Sequence, residues 1–242
     1  MGMMEMIVFS VACFVAAGVA TIAGFGASTV LVPVAAYFLN VKTAILFVAI
    51  FHLITNIFKL RLFFKAIDKK IFLYFGIPSI VFAFAGAQWA NVLPPFLIKK
   101  ILAVFLIVFA IVSFFKPNLT VKPNNANAIL GGSLSGLFAG LIGLGGAMRG
   151  AFLVAFNLPK EVYIATSSVI AFLVDSTRIP VYFSAQPAAR LNYALLLPAM
   201  IVVSYLGTTL GKKLLDKISQ KTSRKVIVIF LFLIGMKLLL ER

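Results

Sequence analysis

Long apolar runs dominate the chain, and short polar or basic segments separate them. An α-helix rises 1.5 Å per residue, so roughly 20 apolar residues cross a hydrocarbon core of about 30 Å. Eight runs are long enough, or nearly so, for one helical crossing: 6–39, 43–64, 71–92, 101–115, 127–157, 162–183, 191–211 and 226–240. This pattern predicts an all-α integral membrane protein.

Two of these runs contain a glycine-rich stretch where a continuous helix is not expected. Glycine is favoured at such positions when the backbone must break, turn or approach another group closely. As one helix, the run 6–39 would reach about 51 Å, well beyond the hydrocarbon core. We therefore predict two glycine-broken helical hairpins, re-entrant or fully spanning, with a tilted and kinked helix as the alternative. The glycines are Gly24 and Gly26 in the first run and Gly143, Gly145 and Gly146 in the fifth.

The chain contains an internal repeat. A shift of 119 residues aligns polar positions of the two halves, and near the ends the shift grows to 125. The Pro- and Asn-rich segment 117–126 separates the halves, which predicts a first transmembrane repeat at 1–116, a linker at 117–126 and a second repeat at 127–242. The aligned pairs are Gly24 with Gly143, Gly26 with Gly145, Asn56 with Asp175, Lys59 with Arg178 and Phe64 with Phe183.

The distribution of basic residues favours oppositely oriented halves. If all eight runs crossed once, Lys and Arg would divide almost equally between the two sides, contrary to the positive-inside rule. If each glycine-broken run instead returns to the membrane side from which it entered, 14 basic residues lie inside and 7 outside, and Arg149 lies within a hairpin. We therefore expect two inverted repeats, each a glycine-broken hairpin plus three spanning helices, as in many secondary transporters.

Composition excludes most other classes of protein. The mean hydropathy is +1.11 and only 12% of residues are charged, which is outside the range of soluble domains. The net charge of +16 comes from basic residues between apolar runs, where anionic lipid headgroups attract them, so nucleic-acid binding is the weaker interpretation. With one cysteine, Cys13, one histidine and no nucleotide-binding motif, the sequence predicts no enzyme, no metal site and no cofactor.

Both glycine-rich stretches resemble a known family. The run Gly136 to Ala147, followed by Ala165-Thr166-Ser167, resembles the second-half signature of the sulfite exporter TauE/SafE family of membrane transporters. The segment from Gly18 to Pro33 resembles the matching first-half signature, although it lacks the Ala-Thr-Ser sequence. The resemblance covers essentially the whole chain and implies a bacterial or archaeal cytoplasmic-membrane protein that moves small anions, especially sulfur-containing ones.

Broken helices at membrane depth would present free N–H groups and a positive dipole end, which suits an anion. The guanidinium of Arg149 would add forked donors for an oxyanion, or would instead reach lipid phosphate. Thr166 and Ser167 are candidates to hydrogen-bond the substrate, and helix packing is their alternative role. The predicted substrate-binding residues are Gly24, Gly26, Gly143, Gly145, Gly146, Arg149, Thr166, Ser167 and Arg178.

Four residues, His52, Asn56, Lys59 and Asp175, are candidates for coupling transport to an ion gradient, of which a proton gradient is one option. Asp175 and Arg178 share a helix face and form either an internal ion pair or part of the transport site. Asn56 and Lys59 are their equivalents in the first half, and His52 either shuttles a proton or packs as a hydrogen-bond donor.

The sequence thus predicts a secondary transporter of small anions that works by alternating access, and the family resemblance implies that these anions contain sulfur. A passive anion channel and a non-transporting membrane scaffold are the alternatives. The expected partners are a small anionic substrate and the lipid bilayer; oligomeric state, direction and coupling ion stay open.

Overall fold

The computed structural model is helical throughout its described part. It describes residues 10–11, 13–15, 27–63, 66–116, 121–185, 198, 201–203, 205–207, 209–210 and 220–241, and no strand occurs among them. Eight helices are labelled within these ranges: α1 Ala27–Phe38, α2 Val41–Phe63, α3 Lys69–Val92, α4 Pro95–Phe115, α5 Asn125–Ile142, α6 Gly145–Leu153, α7 Lys160–Ala185 and α8 Gln220–Leu240.

Five helices among the described residues, α2 to α5 and α7, are long and apolar enough to cross a membrane. This confirms the all-α membrane fold expected from the sequence. The fifth apolar run is broken as predicted, since α5 ends at Ile142 and α6 begins at Gly145. The two arms are unequal, because α5 can span the bilayer whereas α6 and the following turn, Val154–Phe156, cannot. Gly24 and Gly26 lie outside the described residues.

Three glycines allow α5 to pack closely on α3. Gly132, Gly136 and Gly140 recur every four residues along α5, on the face that meets α3. A Cβ atom at any of them would collide with a backbone carbonyl oxygen of α3. Ser79 of α3 also donates a hydrogen bond of 2.9 Å to the Gly132 carbonyl. Small residues at this spacing drive helix association in membranes, where burial of apolar surface contributes little.

The short helix α1 lies inside the bundle. Its residues from Ser28 to Ala36 are all buried, as expected for a helix that is apolar on every side. It packs against α2, α6 and α8. Elsewhere α2 packs along α7, and α4 along α8, where Lys99 pairs with Glu241 and Lys100 donates to carbonyl oxygens at the end of α8.

Candidate functional site

The end of α5 is capped by backbone hydrogen bonds, whereas the first N–H groups of α6 lack a side-chain cap from any described residue. Gly143 has a φ of 77°, a conformation that glycine adopts without strain. Its N–H donates to the Ala139 carbonyl, and the Leu144 N–H donates to the Phe138 carbonyl, both at 3.1 Å. Among the residues that the structure describes, no side chain caps α6, which begins at Gly145. The first N–H groups of α6 therefore remain available to another acceptor.

A buried ionic cluster joins the middle of α2 to α7. The Nδ1 atom of His52 lies 2.9 Å from Oδ2 of Asp175. Arg178 donates from Nε to the other oxygen of the same carboxylate at 2.8 Å, and its Nη2 lies 2.7 Å from that oxygen in an ion pair. The side chains of Asp175 and Arg178 are each 2% exposed. Asp175 therefore neutralises Arg178 and holds the imidazole of His52 in one orientation.

Arg178 and Tyr182 also hold the end of α5. Arg178 Nη1 donates to the Ala139 carbonyl at 2.7 Å, and the Tyr182 hydroxyl donates to the Gly140 carbonyl at 2.7 Å. Carbonyl groups at a helix C-terminus carry partial negative charge, which a guanidinium stabilises. Both groups that Arg178 bonds, the Asp175 carboxylate and the Ala139 carbonyl, are thus protein acceptors. Through them Arg178 links the hairpin of α5 and α6 to α7.

Arg149 has a different environment. It lies one turn into α6 and is 6% exposed. Its Nε donates to the Ser167 hydroxyl at 2.9 Å, and within the described part of the chain this is its one hydrogen bond. Ser167 is neutral, and no carboxylate of a described residue forms an ion pair with Arg149.

A cavity of about 10 Å³ lies between these groups, large enough for about one water molecule. His52 is the twelfth of the 23 residues of α2, so the cavity lies near the midpoint of a spanning helix. The polar and glycine residues that line it are Ser28, His52, Gly143, Gly145, Gly146, Arg149, Asp175 and Arg178.

Four predicted site residues lie outside this lining. One is Ser167, which meets the site through its hydrogen bond with Arg149. The Thr166 hydroxyl accepts a 2.9 Å hydrogen bond from the Asp68 N–H, in the segment that follows α2. Asn56 donates to the His52 carbonyl at 2.7 Å and is buried within α2. Lys59 is exposed and lies within electrostatic range of Arg149.

Two lining or bracing residues were not predicted. Ser28 is buried in the first turn of α1 and faces the cavity. Its position two residues after Gly26 could have indicated it, because hydroxyl residues are favoured where a helix begins after a break. No sequence pattern indicated the role of Tyr182, because that role depends on the carbonyl of Gly140, which is distant in the sequence.

A family model for the sulfite exporter TauE/SafE matches residues 9–238, nearly the whole chain. No curated protein and no solved structure matches it. Members of this family are membrane transporters of sulfur-containing anions and not enzymes, in agreement with the five apolar helices. The protein is a multi-pass membrane protein and belongs to the sulfite exporter TauE/SafE family.

Proposed function

We propose that the protein is a secondary transporter that moves a small sulfur-containing anion, such as sulfite or a sulfonate, across the cytoplasmic membrane by alternating access. One observation carries the proposal: the uncapped start of α6 and the buried guanidinium of Arg149 face one cavity near the middle of the bundle. Backbone N–H groups and a guanidinium together match the geometry and charge of an oxyanion.

The charges around the cavity favour an anion. Asp175 is the one acidic residue among the described residues of the cavity lining, and Arg178 pairs with it. Arg149 has no carboxylate partner in the described ranges. A buried charge without a partner is costly, and the incoming anion would supply the missing countercharge.

The size of the cavity supports a mechanism with moving helices. Sulfite has four heavy atoms, whereas the cavity holds about one water molecule. The anion therefore requires α6 to separate from α2 or α7. Opening toward one membrane surface and then toward the other would be alternating access.

The arrangement of the helices supports two inverted repeats, 1–116 and 127–242, joined by the linker 117–126. In the alignment of the two halves, a shift of 119 residues matches the first residue of α2 with that of α7. A shift of 125 residues matches both ends of α4 with both ends of α8. Members of each pair pack together. The contacts His52 to Asp175 and Asp68 to Thr166 make α2 and α7 antiparallel, as inversion requires.

The imidazole and carboxylate of His52 and Asp175 provide a site for proton coupling. Histidine can exchange a proton near neutral pH, and this one is 2.9 Å from the carboxylate that neutralises Arg178. A proton that binds here would weaken the ion pair between Asp175 and Arg178. The hydrogen bond from Arg178 to the C-terminal end of α5 would then weaken as well. Proton binding and helix movement would thereby be linked.

Uptake of radiolabelled sulfite into proteoliposomes tests the proposal. Wild-type protein should give saturable uptake that competing sulfonate and thiosulfate reduce and that a pH gradient alters. Arg149→Ala should lower uptake at least tenfold, because a hydrogen-bonded charge contributes about 1.5–3 kcal/mol. Arg61→Ala is the matched control, since Arg61 is exposed at the end of α2; its uptake should match that of the wild type.

Two outcomes would contradict the proposal. Large anion currents that do not saturate with substrate would make the protein a passive channel. Absence of anion movement, with the protein folded and inserted, would favour a scaffold that uses its basic loops to hold a partner.

A further inference from the structure

An apolar groove of about 570 Å³ runs along the outer surface of α5. It is formed by one face of α5, from Ala126 to Leu137, and by Phe82 of α3. Among the described residues that line it, Ser133 is the one with a polar side chain. Leu130, which lies along the groove, is 52% exposed. The groove therefore opens away from the helix bundle, toward the lipid.

The length of the groove matches one leaflet of the bilayer. Ala126 is the second residue of α5, so the groove begins where that helix enters the membrane. The rise from Ala126 to Leu137 is about 17 Å, and half of the hydrocarbon core is about 15 Å thick. A single acyl chain that enters beside Ala126 would contact the protein through the whole leaflet.

The helices α3 and α5 begin at the same face of the membrane. A Cβ atom at Gly132 of α5 would meet Phe75 of α3, and one at Gly140 would meet Ala83. Because the contact residues advance in the same direction along both helices, α3 and α5 are parallel. Lys70 belongs to the first turn of α3, one and a half turns before Phe75. It therefore lies at nearly the same depth as the first turn of α5.

Two exposed lysines lie at this end of the groove. Lys70 is followed, one helical turn later, by the exposed Leu73, so this side of α3 faces lipid. Lys122 precedes α5, and its carbonyl accepts a 2.8 Å hydrogen bond from the Asn127 side chain, which holds it against the first turn of that helix. Asp68, the acid closest to Lys70 in the sequence, caps the start of α3. The ammonium groups of both lysines form no ion pair among the described residues.

The positive-inside rule assigns this end of the groove to the cytoplasmic face. Lys65, Lys69 and Lys70 lie in or beside the connection between α2 and α3, and Lys116 and Lys122 lie in the connection between α4 and α5. Clusters of lysine next to membrane spans mark the cytoplasmic side. The anionic lipids of that leaflet attract such clusters.

Electrostatics favours a lipid over a second copy of the chain as the occupant. Two copies related by a two-fold axis normal to the membrane would bring the same lysines to face one another. Each chain carries a net charge of +16, and like charges placed together oppose association. An anionic phospholipid instead supplies a negative headgroup for the lysines and an apolar chain for the groove.

We propose that the groove binds one anionic phospholipid of the cytoplasmic leaflet. One acyl chain lies along α5 as far as Phe82, and the ammonium groups of Lys70 and Lys122 hold the phosphate. The lipid therefore bridges α3 and α5, the two helices that pack through the glycines of α5. This site is separate from the central cavity, because the two linings share no residue.

Native mass spectrometry of the full chain, purified in detergent without phospholipid, tests the headgroup contacts. The probes are phosphatidylglycerol and phosphatidylcholine with identical acyl chains, and the protein should retain one phosphatidylglycerol in preference to phosphatidylcholine. Lys122→Gln should raise the Kd for phosphatidylglycerol about fivefold, because it removes one basic residue at the membrane surface. Lys122→Arg keeps the charge and should restore the Kd. Lys225→Gln is the control, since Lys225 is exposed near the start of α8 and does not line the groove.

Leu130→Trp tests the groove itself. Leu130 is half-exposed, so an indole there fills the groove without displacing core residues. The Kd for phosphatidylglycerol should rise at least tenfold, because the loss of two buried methylene groups is sufficient for such a change. Leu233→Trp is the control, since Leu233 is 61% exposed on α8, outside the groove, and its Kd should match that of the wild type.

Four outcomes would overturn the proposal. They are equal affinity for the two lipids, an unchanged Kd in Lys122→Gln or in Leu130→Trp, and the same rise in a control variant as in its partner. The fourth is a dimer of the lipid-free protein that Leu130→Trp dissociates, because a second copy of the chain would then occupy the groove.

Discussion

Asp175→Asn should destabilise the protein more than any other single change in the buried ionic cluster. The substitution keeps the size of the side chain but removes the charge that forms the ion pair with Arg178 and two hydrogen bonds, one with Arg178 and one with His52. Arg178 would stay buried, with a side chain 2% exposed and no countercharge. Removing one partner of such a pair costs about 3–5 kcal/mol. For a chain of this length we expect the Tm to fall by about 10 °C.

Thermal unfolding in detergent measures this change. Cys13 is buried and is the one cysteine of the chain, so a dye that fluoresces on reaction with thiols reports its exposure. Glu161→Gln is the control, because it removes an exposed acid from the same helix and should leave the Tm within about 2 °C. Adding Arg178→Met to Asp175→Asn should recover part of the loss, since no buried charge then lacks a partner.

A Tm that falls by less than about 2 °C in Asp175→Asn would show that Asp175 does not neutralise a buried guanidinium, because leaving Arg178 unpaired should cost about 3–5 kcal/mol. An equal fall in Glu161→Gln would lead to the same conclusion. Either result would mean that the cluster is hydrated and that its charges do not depend on one another.

Three further variants test other parts of the account. Gly136→Ala should lower the Tm by about 5 °C, because its Cβ would collide with the Ser79 carbonyl of α3. In Gly235→Ala the nearest atoms lie 3.1–3.2 Å away, a tight contact that a small shift relieves, so we expect a clearly smaller loss; equal losses in the two variants would contradict the close packing. Ser28→Ala should raise the KM for sulfite about fivefold without changing the Tm, because it removes one hydroxyl from the cavity lining; an unchanged KM would exclude Ser28 from the site. His52→Gln should make uptake insensitive to pH between about 6 and 8, because glutamine bonds Asp175 but does not titrate; an unchanged pH profile of uptake would exclude His52 from coupling.

The break in the second hairpin could be predicted because it depends on local chemistry. Gly143 adopts a positive φ, and the run that contains it is too long for one simple span. The spacing of Asp175 and Arg178 likewise predicted that they share a helix face, and they form an ion pair. Such features follow from residue type and helical periodicity alone.

Which side chains face the cavity depends on three-dimensional packing that the sequence does not encode locally. Thr166 and Ser167 are adjacent, and neighbouring residues on a helix point about 100° apart. Ser167 therefore meets Arg149 whereas Thr166 meets Asp68. The sequence predicted both as substrate ligands because an apolar run with scattered hydroxyl groups does not indicate which face is buried.

The different roles of the two arginines also depend on distant contacts. Arg149 and Arg178 were both predicted to bind the anion, and the nearby Asp175 alone could not decide whether the second remained available. The Ala139 carbonyl, 39 residues away, completes the bonding of Arg178. Arg149 has a neutral partner instead, so it is the stronger candidate to hold the substrate.

The location of a bound anion is the sharpest test of an oxyanion site at the start of α6. Selenite has the shape and charge of sulfite, and its selenium atom can be located by anomalous scattering in crystals of the protein. We predict one peak near the start of α6, with an oxygen about 3 Å from the Gly146 nitrogen and from the Arg149 guanidinium. A bound selenite elsewhere in the bundle, with the start of α6 empty and closed, would contradict the account.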